Sequence, residues 1–206
     1  MTWVREHRLS LSDPEDRQRI DAAMRRSYIP ERYWHANPEL VKGNNKWMQQ
    51  ALTQPEGWAG EGYGFYLHGQ FNTGKSAAAC ILARDFVLRA HKVLFLKVSD
   101  VPRVRFHEGE EGEALDARLR ASDLLVLDDL GSERFRLDSA AGAALEEVAR
   151  VMYDRQRPII YTSNKSWDEF HHTYATVPAF VSVVQRVSLP IALIDQWPGQ
   201  PSIGMK

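Results

Sequence analysis

The stretch Gly69-Gln70-Phe71-Asn72-Thr73-Gly74-Lys75-Ser76 sets two glycines five residues apart and follows the second at once with a lysine and a hydroxyl. This is the G-x-x-x-x-G-K-[ST] spacing, whose chemistry is the holding of a polyphosphate. Glycine allows backbone shapes in which successive N–H groups point inward around an anion, and a helix starting there adds the positive end of its dipole. Lys75 is then placed to reach the β- and γ-phosphates of ATP, and the Ser76 hydroxyl to hold Mg²⁺. All eight residues are candidate nucleotide-binding positions. The bland alternative is a glycine turn beside a surface lysine, but average residue usage makes a chance match in this chain about one in a hundred.

A phosphate loop of this kind needs a carboxylate at the tip of a neighbouring strand. Leu124-Leu125-Val126-Leu127-Asp128-Asp129 supplies one. Four apolar residues in a row suit a buried central strand, and the acids at its end face the crevice where such sheets bind ligands. Asp128 is the candidate metal-side acid, and Asp129 the candidate general base that polarises the attacking water. An aspartate pair capping the next helix is the competing reading, and the phosphate loop weighs against it. Thr162-Ser163-Asn164 ends another apolar run, and the Asn164 amide could orient water or touch the γ-phosphate. Ordinary turn chemistry explains these three residues equally well.

Such residues work only if alternating strands and helices bring them together. Strands are predicted at Phe65–His68, Val93–Val98, Leu124–Asp128, Ile159–Thr162 and Val187–Ile194, with helices over Lys75–Ala90 and Asp138–Arg155. Helical material after the second strand runs to about Arg120 and is expected to be broken by the acidic run GEEGE. Two shorter helices follow the fourth strand and end near Arg186. That alternation predicts an α/β fold, a parallel five-stranded sheet flanked by helices. Upstream, Asp13-Pro14-Glu15-Asp16 reads as a capped helix start running to about Arg26. Its apolar content is thin, so an exposed arm or a partner-docking helix is expected. A second helical pattern covers about Pro38–Leu52.

The composition excludes some classes. With 26 basic and 27 acidic residues the net charge is −1, so no global field draws nucleic acid to the chain. The single Cys80 excludes an internal disulfide and a multi-cysteine metal site. Signal-peptide and membrane-span patterns are missing, which predicts a cytoplasmic protein with no membrane partner.

The phosphate loop, Asp128-Asp129-Leu130-Gly131-Ser132-Glu133 and Tyr161-Thr162-Ser163-Asn164 together resemble, in order and spacing, the DnaC- and DnaI-type replicative helicase loaders and the IstB-like transposition ATPases. Ile29-Pro30-Glu31-Arg32-Tyr33 is similar to the segment that precedes the ATPase core in that group. The resemblance implies a P-loop NTPase of AAA+ type without a C-terminal lid domain, with residues 1–35 an arm and adenine-side segment and residues 36–206 the core. It also implies that Ile29 and Pro30 cover the adenine, that Asn164 is the sensor residue, and that Arg186 is a finger reaching the nucleotide of a neighbouring subunit. ATP and Mg²⁺ are the implied cofactors. The implied partners are a replicative helicase, single-stranded DNA and further copies of the chain. Loaders carry a separate N-terminal domain that grips the helicase. Only about thirty residues precede Ile29, so the helix over 14–26 is expected to serve as a reduced version. Aspartate at 129, where many relatives have glutamate, shortens the reach to water and implies slow hydrolysis.

Arg103, Arg105 and Phe106 lie where initiators and loaders insert an extra helix, and are candidates for contacting single-stranded DNA through phosphates and base stacking. Glu108, Glu110, Glu111 and Glu113 nearby also fit a solvated helix of mixed charge. His171 and His172 point to different helix faces and read as surface. Trp34, Trp47 and Trp58 are expected to pack the upstream helices on the core, and Cys80 to be a small buried hydrophobe. Two alternatives to the loader remain: an IstB-like transposition ATPase, and a non-hydrolysing adaptor whose shape ATP sets. A small-molecule kinase is disfavoured, because no arginine-rich lid segment is found.

Overall fold

The computed structural model describes residues 8–38, 41, 46–102, 110–133, 136–137 and 139–193. Helix α1 (Pro14–Arg26) starts as the sequence dictates. The Asp13 carboxylate accepts from the backbone N–H groups of Glu15 and Asp16, and Pro14 occupies the first turn, where its missing donor costs nothing. Ile20 and Met24, one turn apart, are buried and join the core beneath helix α4 (Lys75–Leu88). The helix is therefore packed on the core and is not an exposed arm. Two apolar side chains at i and i+4 suffice for that.

Helices α2 (Lys46–Thr53) and α3 (Glu56–Ala59) lead into strand β1 (Gly64–His68). The chain alternates from there through α4, β2 (Val93–Lys97), α5 (Glu110–Ala121), β3 (Leu124–Leu130), α6 (Ala140–Asp154) and β4 (Ile159–Ser163). Two helices follow, α7 (Trp167–Thr173) and α8 (Pro178–Val187), and then β5 (Ser188–Ala192). Helix α5 begins within the GEEGE run, whose last four residues lie inside it; the break expected there falls on residues 103–109, outside the described residues. Acids in a first turn are stabilised by the positive end of the helix dipole.

All strand pairs are parallel, in the order β2-β3-β4-β1-β5. Side chains alternate cleanly between the two faces. Phe65, Leu67, Val93, Phe95, Leu124, Val126 and Ile160 pack toward the layer containing α1, α2 and α4. Tyr66, Leu94, Leu96, Leu125, Leu127, Ile159 and Tyr161 pack toward α6, α7 and α8. The upstream tryptophans belong to the first layer, as expected. Trp58 tilts against Phe65 and Phe86, Trp47 against Phe65, and the Trp34 indole donates to the Ile29 carbonyl. Cys80 is fully buried, and desolvation pushes its thiol well above the ordinary range. Among the described residues no helix is long and apolar enough to cross a membrane.

A polar clasp closes the end of the sheet where the strands begin. The Asp123 carboxylate, at the entry to β3, accepts from the Lys92 backbone N–H and approaches His91 and Arg157. Burial pushes its pKa up, but the His91 hydrogen bond, the Lys92 amide and Arg157 outweigh that and hold it below the usual value. A depressed carboxylate contributes stability that is fully present above the unfolded-state pKa and is lost as pH falls through the native one. Asp123→Ala should therefore cost about 1–3 kcal/mol at neutral pH and remove part of the acid-side loss of stability. Urea unfolding at neutral pH and at about pH 3.5 measures both effects.

Candidate active site

The strand order places β4 between β1, which feeds the glycine loop, and β3, which carries the acids. The loop leaves β1 at Gly69, whose φ is +148° and where an added Cβ would lie 2.2 Å from the Leu193 carbonyl oxygen. Gly74 takes the left-handed conformation (φ 88°) that caps α4. Asn72 is also left-handed (φ 62°), which asparagine tolerates better than most residues. These three positions shape the concave loop expected at a helix N-terminus.

Inside the loop, the Lys75 ammonium donates to the carbonyls of Gly69 (2.9 Å) and Gln70 (2.6 Å). Burial lowers its pKa, while Asp129 and then Asp128 pull it back up. Thr73 is buried and donates to the Gln70 carbonyl. Ser76, in the first turn of α4, donates to Asp128 Oδ1 at 2.7 Å. The same oxygen accepts from Thr162 Oγ1 at 2.7 Å, and that hydroxyl accepts in turn from the Asp129 backbone N–H at 2.9 Å. One hydroxyl on β4 thus ties together both acids of β3.

Asp129 is where β3 departs from regularity. The register slips between Leu127 and Leu130, and Asp129 has φ 68° within the strand. A bulge of this kind re-aims a side chain, and here the Asp129 carboxylate is exposed to the cleft while Asp128 stays buried. Glu133 stabilises the turn that follows: its Oε1 accepts from the Gly131 N–H at 2.9 Å and from the Tyr174 hydroxyl.

These groups line one cleft of about 460 Å³, within the range of small-molecule sites. Phe71, Asn72, Gly74, Lys75 and Ser76 form one side, and Asp128, Asp129, Thr162 and Asn164 the other. The sequence-predicted loop, acids and asparagine are therefore brought together. Ile29 and Pro30 are not among the lining residues; Ile29 is buried in the core, and Arg32 and Tyr33 border the cleft instead. Arg186 also lies elsewhere, exposed on α8 with its guanidinium 3.3 Å from the Tyr153 hydroxyl. Arg103, Arg105 and Phe106 fall outside the described residues.

Sequence reasoning assigned no role to Thr162 or Lys97, which both line the cleft. Lys97 ends β2 directly opposite Asp128 in the register. Their only sequence signal is a place at the carboxyl end of a strand. Among the described residues no group of three or more His, Cys, Asp or Glu could hold a metal. The Ser76 and Asp128 oxygens are hard donors that suit Mg²⁺, an ion usually bound through one or two protein groups together with substrate phosphates.

A profile of the family described as IstB-like ATP binding protein matches residues 57–187. No curated protein matches the chain. Several solved structures do. The crystal structure of DnaI is 20% identical with a TM-score of 0.66, covering 81% of this chain and 92% of the other. The DnaC helicase loader is 22% identical with a TM-score of 0.62, over 79% and 99%. A primosome component from Streptococcus pyogenes is 20% identical with a TM-score of 0.65, over 83% and 94%. At these identities the likeness is one of fold. What is shared is a P-loop ATP-binding core, a parallel five-stranded sheet flanked by helices.

The Thr162 hydroxyl carries the sharpest geometric consequence. Thr162→Val keeps the shape of the side chain but leaves a buried carboxylate oxygen with one donor fewer and the Asp129 amide without its acceptor. The expected loss is about 1–3 kcal/mol of stability, read by chemical denaturation, with Thr162→Ser close to the parent.

Proposed function

From its membership of the IstB-like ATP-binding family, we propose that the chain is an ATP-dependent loader, acting on a replicative helicase and single-stranded DNA during DNA replication. Residues 36–206 form its ATPase core and residues 1–35 an arm that also borders the nucleotide. The observation that carries this reading is the Ser76–Asp128–Thr162 network facing Lys75 across one cleft. A fold shared with DnaI and the DnaC helicase loader supports the choice of partner.

Each residue has a definite task. The backbone amides of the glycine loop cradle the phosphates, and Lys75 leaves its carbonyl partners to neutralise the β- and γ-oxygens. Ser76 and Asp128 hold Mg²⁺, which when bound offsets charge on the transferring phosphoryl group. Asp129, aimed into the cleft by the bulge, takes a proton from the attacking water, and Asn164 orients that water. Arg186, remote from its own cleft, is free to enter that of a second copy and stabilise charge on the γ-phosphate. ATP then joins subunits and hydrolysis separates them. The shorter aspartate side chain at 129 makes turnover slow.

The family match also favours a second reading, an IstB-like ATPase that brings a transposase to DNA. Pull-down with a replicative helicase and with a transposase, each in the presence of a slowly hydrolysed ATP analogue, separates the two. Turnover measured with and without single-stranded DNA decides between either enzyme and a non-hydrolysing adaptor.

Lys75→Ala is expected to abolish ATP binding. Arg186→Ala should retain it while slowing hydrolysis about a thousandfold and ending ATP-dependent assembly in light scattering. Normal hydrolysis by the Arg186 variant would overturn the shared-site mechanism and leave ATP binding standing.

A further inference from the structure

A second cavity, of about 670 Å³, opens among α1, the end of α4, the start of β2 and α5. It lies at the opposite end of the sheet from the nucleotide cleft. Val93, the first residue of β2, lines the cavity, while Lys97, the last, lines the cleft. At about 3.3 Å per residue, roughly 13 Å of strand separates them. An occupant of one site does not touch the other.

The cavity is bordered by two helix faces. Arg19, Ala23 and Arg26 of α1 stand at i, i+4 and i+7, and Ala117, Arg118 and Ala121 of α5 share another face. The alanines leave the space between the helices unfilled, above Val87 and Val93, which are buried. Arg19, Arg26, Lys92 and Arg118 form an exposed rim. Among the described residues no carboxylate lines the cavity, although the chain as a whole is slightly acidic and Arg19 lies 3.8 Å from the Asp16 carboxylate on its own helix. Arg118 is held in place over the Tyr28 ring at 5.0 Å, donating to its hydroxyl.

We propose that this groove docks an acidic amphipathic helix of a partner protein. Small apolar side chains of that helix would lie between α1 and α5, and its Glu or Asp residues would meet the four rim cations. The charges do not converge on a point, as they would around a small anion. Arg19 and Arg26 are about 10 Å apart along α1, with Lys92 and Arg118 on other elements, which matches a row of carboxylates. Single-stranded nucleic acid offers a row of phosphates too, but it needs aromatic platforms for its bases. Among the described residues no Phe, Tyr or Trp lines the groove, and the ring of Tyr28 beside it is already covered by Arg118. An amphipathic helix that lays its apolar face into such a groove is a recurring mode of recognition. This inference goes beyond the nucleotide cleft and holds whether the partner is a helicase or a transposase.

The test uses the full chain without ATP and a fluorescent helix-forming peptide of Glu, Leu and Ala, read by anisotropy. A peptide with Lys in place of Glu and an oligo-dT strand serve as comparators. The Glu peptide should bind and the Lys peptide should not. Arg26→Glu and Lys92→Glu should each weaken binding about tenfold. Ala121→Trp, which fills the groove without altering its charge, should abolish it, and the ATP affinity of all three variants should match the parent. Failure of the Glu peptide to bind overturns the proposal. Undiminished binding to Ala121→Trp does so as well, since only diffuse charge attraction would then remain. If oligo-dT binding instead falls with both Arg26→Glu and Ala121→Trp, the groove belongs to nucleic acid and the proposal is wrong.

Discussion

One carboxylate oxygen, Asp128 Oδ1, fixes the geometry of the nucleotide cleft. It accepts from Ser76 on α4 and from Thr162 on β4 while itself ending the regular part of β3. A buried charge without partners would cost several kcal/mol, so the chain gains stability only when all three elements arrive together. The strand order makes this possible. With β4 inserted between β1 and β3, the loop and the acid cannot be neighbours in the sheet, so the Ser76 hydroxyl reaches across to Asp128 while Thr162, at the tip of β4, holds the acid from the strand between them.

Two of the five described non-glycine residues with positive φ line the cleft, while Tyr28, Ala90 and Gln156 lie elsewhere. Asn72 adopts positive φ between Gly69 and Gly74, and Asp129 does so two residues before Gly131, which shares that conformation. Each non-glycine example costs of order 1 kcal/mol or more and persists only where its surroundings hold it. For Asp129 the holding contacts are visible: its N–H donates to Thr162, and its carbonyl accepts from the Ser132 amide and hydroxyl. Beyond it, Glu133 secures Gly131 and reaches Tyr174 in the opposite layer. The exposed acid thus stands on a turn whose rigidity comes from the core.

Much of this arrangement could be read from sequence, and the exceptions have physical reasons. The five strands and the glycine loop were legible because periodicity and spacing are local properties. Thr162 was quoted in a strand-end motif, but its role depends on which strand lies between β1 and β3, and no local pattern encodes strand order. Lys97 was invisible for the same reason, since only the register sets it opposite Asp128. Ile29 was assigned to the adenine side, yet its side chain is buried in the core, and it is the next turn, Arg32 and Tyr33, that borders the cleft. A shift of a few residues is invisible to composition.

How such a chain can contact other molecules is constrained by its two sheet edges. An open edge strand invites pairing with another chain, but here both edges are blunted. On β2 the Phe95 N–H is already taken by the Ser27 carbonyl at 2.8 Å, so the segment after α1 covers that edge. On β5, Pro190 sits in register with Tyr66 and has no N–H to offer an incoming strand. Neither edge presents an unbroken row of donors and acceptors. Association by strand pairing is thus disfavoured, and side-chain surfaces such as those at the two ends of the strands are left for it. One end carries the acids and Lys75, the other an apolar groove rimmed by cations. A net charge near zero conceals this division, because it sums over both ends.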